Sequence, residues 1–589
     1  MQPRCSGTGK TSEETLDYPV VGAIIQLRQI SHPREDVATH DTSRDEGLEM
    51  LGKLTLSRLV FAVLVSVVLL RGGLLQGGPL AAANTASRLR LPAENARAGA
   101  LIPAGGHILL TSTHACDEVV HIAQANSDDE HITSACDTAG SPLPGTTSSV
   151  LKLCCPLVLK NLDFLTIQEG NWQPKTEIQP KQSQELEDNC MGTDLGSYDP
   201  GYHNPQVVYP IGFKWIRISF NTDPLNWQYV ETEPGQYMIN SACDNAITGY
   251  ANNGINIVLN LGVGSWENRL DITRFRTEGD IVRYCNFARF MVHHFKDRIR
   301  YYEIWNEPND IAVQDYANLV RRVVPVIREE YPGAKIVIGA VGGEWISGYP
   351  GYGESQRYTV DIDYLKGLLR SGVAPLVDVV SWHPFYGTRP DDPYYQNYHR
   401  MVEEIKQLAA SKGFRGEYLV EEIVWRTPGD TLDEQIQRVT ETVATKYFTR
   451  SMVMSRGLNL IVSIALPGAH DPTLPKVHAI HNICHIMARV EPTSFPVQIA
   501  SEGGLIKSYK FAFPNGDRMV ALWNDIVAED YTPGVKTTVT LQSFSARNVV
   551  GIDTLYGVQQ TLYTRMAGSN LVIPNLLVRD YPLILRVSR

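Results

Sequence analysis

From about residue 190 onward, the apolar positions of this 589-residue chain fall into a repeating alternation. Short runs rich in β-branched and aromatic residues stand at 215–220 (WIRISF), 257–262 (IVLNLG), 301–306 (YYEIWN), 336–341 (IVIGAV), 378–383 (DVVSWH), 418–423 (YLVEEI) and 458–466 (LNLIVSIAL). They begin roughly forty residues apart, and amphipathic stretches such as 280–295, 314–330 and 432–455 lie between them. In the second of these, Tyr316, Leu319, Val320, Val323 and Ile327 recur at helical spacing. Continuous apolar strands separated by helices predict parallel strands covered on both faces. With one further strand near 192–197 the count is eight, which predicts a (β/α)8 TIM barrel over 191–492. A doubly wound open sheet is the alternative, but no GxGxxG follows the first strand.

The pattern changes at both ends. Residues 493–589 lack helical periodicity and carry Pro514-Asn515-Gly516-Asp517 between two alternating runs, predicting a hairpin within a C-terminal β-sandwich whose core takes Phe511 and Trp523. Residues 84–190 are rich in small and polar residues and predict a weakly structured spacer ending in a linker. Upstream, 59–70 (LVFAVLVSVVLL) is uncharged and would rise only about 18 Å as a helix, short of a ~30 Å hydrocarbon core. Lys53 and Arg58 before it and Ala81-Ala82-Ala83 after it predict a secretory signal within 1–83, with a membrane anchor through 59–70 as the alternative. Either places the protein outside the cell or on its surface. Met50 stands where a start would, so 1–49 are expected to be absent from the mature protein.

Composition narrows the functional classes. Lys+Arg number 53 against 64 Asp+Glu, a formal charge of −11 without a basic run, which disfavours nucleic acid as a partner. The 9 cysteines include no CxxC pair and no zinc-ligand spacing, so neither a metal nor another cofactor is expected. Cys116 and Cys136 are a candidate disulfide in an oxidising compartment, with isolated buried thiols as the alternative. The sequence sets no oligomeric state.

In a barrel of this type the chemistry sits at the carboxyl ends of the strands. The fourth strand ends Trp305-Asn306-Glu307-Pro308, where Glu307 is partly desolvated and suited to act as a general acid. The seventh ends Val420-Glu421-Glu422-Ile423-Val424-Trp425, and side-chain alternation sends one of the two glutamates into the barrel mouth and the other toward the helices without choosing between them. Carboxylates on strands four and seven face each other across the axis, the arrangement that glycoside hydrolysis requires. Trp266, Trp305, Trp345, Trp382 and Trp425 follow strands three to seven and predict flat platforms for sugar rings around the mouth.

The motifs WIRI, VETEPGQY (230–237), EIWNEPN, SWHPFYG (381–387) and LVEEIVW resemble glycoside hydrolase clan A, the retaining barrel enzymes, and within it families 39 and 5. The resemblance spans about 192–490. It implies that Glu307 is the acid/base and, aligned on Trp425, that Glu422 is the nucleophile. It further implies that Asn306 binds the sugar 2-hydroxyl, that Arg217 pairs with the nucleophile, and that His383 and Tyr386 contact the nucleophile and the sugar. The substrate would be a plant- or microbe-derived oligo- or polysaccharide, cut by a β-glycosidase such as a β-xylosidase or by an endo-glycanase. Glu421 stands where the family usually has Thr, Val424 where it has Gly, and the eighth strand (SIALPGAH) lacks a Trp. A barrel that binds carbohydrate without cleaving it, or a surface-tethered interaction protein, are the competing readings.

Overall fold

The computed structural model describes residues 166–195, 205–218, 224–262, 274–430 and 434–589. The apolar run 59–70, the residues proposed as signal and Cys116–Cys136 lie outside them, as does Trp266. Among the described residues no helix is long and apolar enough to cross a membrane.

Eight parallel strands close into a barrel: Met191–Asp194, Trp215–Ile218, Asn256–Leu261, Tyr301–Ile304, Lys335–Val341, Val379–Trp382, Glu417–Ile423 and Ile461–Ile464. The eighth pairs back onto the first, Val462 opposite Met191, so no edge is left open. A helix follows each strand, among them Glu278–Phe295, Val313–Glu330 and Pro393–Ser411. Tyr316, Leu319, Val320, Val323 and Ile327 form the buried stripe of the Val313–Glu330 helix, as their spacing requires. The helix expected over 432–455 runs from Glu441 to Gly457 instead, because the Thr440 hydroxyl accepts the Val443 amide and starts it there.

The barrel interior is built in layers by the two-residue period of its strands. Its floor is apolar: Trp215, Val258, Tyr301, Val337, Val379, Leu419 and Ile461, one residue from each of seven strands. Two residues further along, the inward positions turn polar, giving Arg217, Asn260, Glu303, Ser381 and Glu421. This buried polar plate underlies the mouth.

The C-terminal module pairs a seven-stranded antiparallel sheet with a four-stranded one. Pro514–Asp517 forms the expected turn, with Gly516 at φ 89° and strands Ile506–Ala512 and Arg518–Asn524 paired on either side. Lys175–Glu177, from the segment read as a spacer, adds a strand to the larger sheet opposite Gln560–Val558. Phe511 and Trp523 are fully buried but do not fill the core between the sheets, as was expected of them. They lie on the sheet face that packs against the barrel, while Val520 and Leu522, one residue out of phase, fill the inter-sheet core.

Because the sandwich covers its outer face, the Glu441–Gly457 helix is buried from Val443 through Arg456. Its buried cations find their partners across the junction. Lys446 Nζ lies 2.9 Å from Asp580, Arg450 Nε donates to the Asp580 carbonyl at 2.5 Å, and Thr532 donates to the Asp580 carboxylate at 2.7 Å. Asp580→Asn leaves Lys446 buried without a counter-charge and should cost about 3–5 kcal/mol in chemical denaturation. A loss below about 1 kcal/mol, typical of an exposed pair, would show that the junction does not depend on this charge.

Candidate active site

Arg217 projects from the second strand into the polar plate and is wholly buried. Its Nη1 lies 2.6 Å from Asp194 and 2.7 Å from Glu422, its Nε 2.8 Å from Glu303 and 2.5 Å from Glu421, and its Nη2 donates to Asn306 Oδ1 at 2.5 Å. One guanidinium thereby joins strands one, two, four and seven. It stays charged because these carboxylates outweigh the cost of its burial.

Both glutamates of the seventh strand reach this centre. Strict alternation would have turned one of them to the helices, but Glu422 has φ 53° and the strand shifts register between Val420 and Ile423. A left-handed residue inserts a bulge, so Glu421 points inward in phase with Leu419 and Glu422 is carried inward after it. Glu422 accepts from Arg217 and from the Tyr386 hydroxyl, which fixes both of its oxygens.

Glu307 ends the fourth strand at φ 42° with its side chain 38% exposed, open to the mouth on one side. On the other it rests on Gly342, where a Cβ would fall 2.4 Å from Glu307 Oε1. His383 stands between the two carboxyls. Its Nδ1 is 3.0 Å from Glu307 and 3.4 Å from Glu422, and its Nε2 is 3.7 Å from Glu421. Burial alone would lower the pKa of this imidazole, but Glu422, Glu307 and Glu421 together push it up to about 10. One oxygen each of Glu307 and Glu422 and one nitrogen of His383 all lie within 4.8 Å of one another. Three such groups could span a cation once His383 gives up its proton; protonated, its Nδ1 donates to Glu307 and lies beside Glu422.

Of the four described tryptophans expected around the mouth, three turn away from it. Trp305, at φ 67°, turns into the core against Phe275 and Tyr284. Trp382 meets Tyr398 and Tyr418, and Trp425 donates to the Thr388 carbonyl while packing on Tyr447 and Phe448. All three indoles are buried between strands and helices, Trp382 because it is out of phase with the inward Ser381, Trp425 because the bulge at Glu422 shifts its phase, and Trp305 because its left-handed backbone turns it aside. Trp345 differs. It lies half-buried on a hairpin, edge-on to Tyr358 and Tyr386, and so flanks the hydroxyl that touches Glu422. The VETEPGQY segment supplies a scaffold: Glu231 accepts from Trp227 Nε1 and the Gly235 amide and pairs with Arg283.

Sequence reasoning missed Asp194 and Glu303, which complete the Arg217 centre. A lone glutamate inside the apolar run YYEIW was the available signal, since buried strands rarely keep an unpaired acid.

No protein-family profile matches the sequence, and no curated protein matches it. Among solved structures the chain is similar to a family 39 glycoside hydrolase from the gut symbiont Bacteroides cellulosilyticus WH2, at 17% identity over 70% of this chain and 83% of that one, TM-score 0.48. It is also similar to the catalytic domain of GH30 xylanase C from Talaromyces cellulolyticus, at 10% identity over 70% and 98% of the chains, TM-score 0.43. A third is CelM2, a bifunctional glucanase-xylanase protein from a metagenome library, at 12% identity over 69% and 97%, TM-score 0.40.

The proton on His383 links the site to stability. Its raised pKa contributes stability that is complete below about 6.5 and is lost as pH rises through about 10. Thermal midpoints of wild type and His383→Gln should therefore differ most at or below the lower value and converge toward the upper. A gap independent of pH would mean that the imidazole is neutral.

Proposed function

We propose that the chain is a retaining glycoside hydrolase in which Glu307 is the acid/base and Glu422 the nucleophile. The observation that carries this reading is the approach of their carboxylate oxygens to within 4.8 Å at the ends of strands four and seven. Retaining glycosidases hold their carboxyl groups about 5–5.5 Å apart, and an approach of the nearest oxygens to within 4.8 Å is compatible with that spacing.

The environments of the two groups differ as the two roles demand. Glu422 is nearly buried and clamped by Arg217 and Tyr386, so one carboxylate oxygen can be aimed at an anomeric carbon. Glu307 is open to the mouth, where a leaving-group oxygen and later a water could reach it. In the first step Glu307 protonates the glycosidic oxygen as Glu422 bonds to C1 and the C1–O bond breaks, forming a glycosyl ester. In the second, Glu307 takes a proton from water, water bonds to C1, and Glu422 leaves as carboxylate. His383 donates to Glu307 and lies beside Glu422, stabilising whichever carboxylate is charged. The Asn306 carbonyl is engaged by Arg217, which leaves its amide hydrogens for the sugar 2-hydroxyl. A β-linked oligo- or polysaccharide is the substrate class we favour, and the apolar run 59–70 supports action outside the cell.

Aryl glycosides provide the test. Wild type should release the first product sugar with its anomeric configuration retained, seen by NMR before mutarotation. Glu307→Ala should lose about 10²–10⁴-fold in kcat/KM on poor leaving groups, and less on activated ones. Glu422→Ala should be inactive, with added azide restoring turnover to a glycosyl azide of inverted configuration. If Glu421→Ala shows the azide response instead, the nucleophile is Glu421; an inverted wild-type product would exclude the double displacement.

A further inference from the structure

Below the Glu307–Glu422 gap, five carboxyl groups face two side-chain cations, Arg217 and His383. Arg217 Nε carries a single hydrogen, yet Glu303 Oε2 lies 2.8 Å from it and Glu421 Oε2 lies 2.5 Å from it. Only one of the two can accept that hydrogen well. Glu303 is otherwise satisfied: Asn260 Nδ2 donates to its Oε2 at 2.7 Å, and Ser381 Oγ donates to its Oε1 at 3.2 Å. Among the described residues both oxygens of Glu421 are buried without a hydrogen-bond donor; besides the Arg217 ion pair, His383 Nε2 lies 3.7 Å from its Oε2. Two carboxylates crowded at one buried hydrogen repel strongly, and a proton between them removes the repulsion and supplies the missing donor.

We propose that Glu303 keeps its proton in the native protein and donates it to Glu421, and that Glu421, so anchored, is a positioning residue holding Arg217 and His383 beneath Glu422. The role of Glu421 rests on the hydrolase reading of the site; the shared proton does not. Burial pushes the Glu303 carboxyl up to about 8, with Arg217 opposing and the Glu421 charge adding to the rise. The other charged or titratable groups facing the pair are Asp194 on strand one, Arg217 on strand two, His383 on strand six and Glu422 on strand seven. Tyr284 and Tyr316, on the helices after strands three and four, are held neutral by burial. With Glu303 protonated, the positive charge of Arg217 is divided among Asp194, Glu421 and Glu422 rather than among four carboxylates. An uncharged residue at position 421 would not repel Glu303, so the Glu421 charge strengthens a hold on the proton that burial begins.

Infrared spectroscopy of the full chain reads the proton directly through the carbonyl stretch of a buried protonated carboxyl. Wild type should show the band at neutral pH and lose it as pH rises through about 8. Glu303→Gln removes the carrier and should lose the band at neutral pH, Glu421→Gln removes the charge that adds to the rise and should lose the band at lower pH than wild type, and Glu307→Gln should keep it. Absence of the band in wild type, its survival in Glu303→Gln, or an unshifted loss in Glu421→Gln overturns the shared proton. Aryl-glycoside kinetics then read the role of Glu421: kcat/KM of wild type should inflect near 8 and that of Glu421→Gln should not. Coincident pH profiles overturn the positioning role. A wild type that cleaves no glycoside overturns the hydrolase reading and the role of Glu421 with it, leaving the proton to be decided by the spectra.

Discussion

A single buried guanidinium is the constraint from which the rest of the site follows. Arg217 cannot lie in the barrel interior without counter-charges, and no one strand could supply them all. Asp194, Glu303, Glu421 and Glu422 come from strands one, four and seven, so the ion cluster is complete only when the barrel is closed. Desolvating several charges at once is costly, and the cost is offset only by close pairing and by the hydrogen bonds from Asn260 and Ser381. The cluster is thus a weak source of stability and a strong source of geometric definition. It sets where Glu422 stands, and the apolar floor below gives it no room to retract.

Backbone strain gathers around the same point. Trp305, Glu307, Ala340 and Glu422 all take positive φ at or beside the strand ends that form the mouth. Each such residue costs of order 1–3 kcal/mol and persists only where its surroundings over-determine it. Here the surroundings are the packed indole of Trp305, the contact of Glu307 with Gly342 and the clamp on Glu422. The strain brings two carboxyls together that regular strands would hold apart.

Much of the fold was legible from periodicity, because parallel strands covered on both faces leave continuous apolar runs and the intervening helices carry stripes. The candidate pair was legible too, since an acid at the end of an apolar strand is conspicuous. What could not be read was phase. Glu421 lies inward by simple alternation from Leu419, but the bulge that also brings in Glu422 leaves no mark in the residue types. The tryptophans misled for the same reason: their spacing follows the strands, while a shift of one residue decides between mouth and core. The strand at Lys175–Glu177 was hidden because it is short and polar and borrows its stability from a sheet nearly four hundred residues away in sequence.

Trapping the covalent intermediate would identify the nucleophile. A fluorinated glycoside with a good leaving group, deactivated at C2 so that the second step is slow, should inactivate the enzyme with time. Peptide mass spectrometry should then find one glycosyl group, esterified to Glu422. A label on another residue would reassign the nucleophile, and turnover of such reagents with no covalent adduct would exclude a glycosyl-enzyme intermediate.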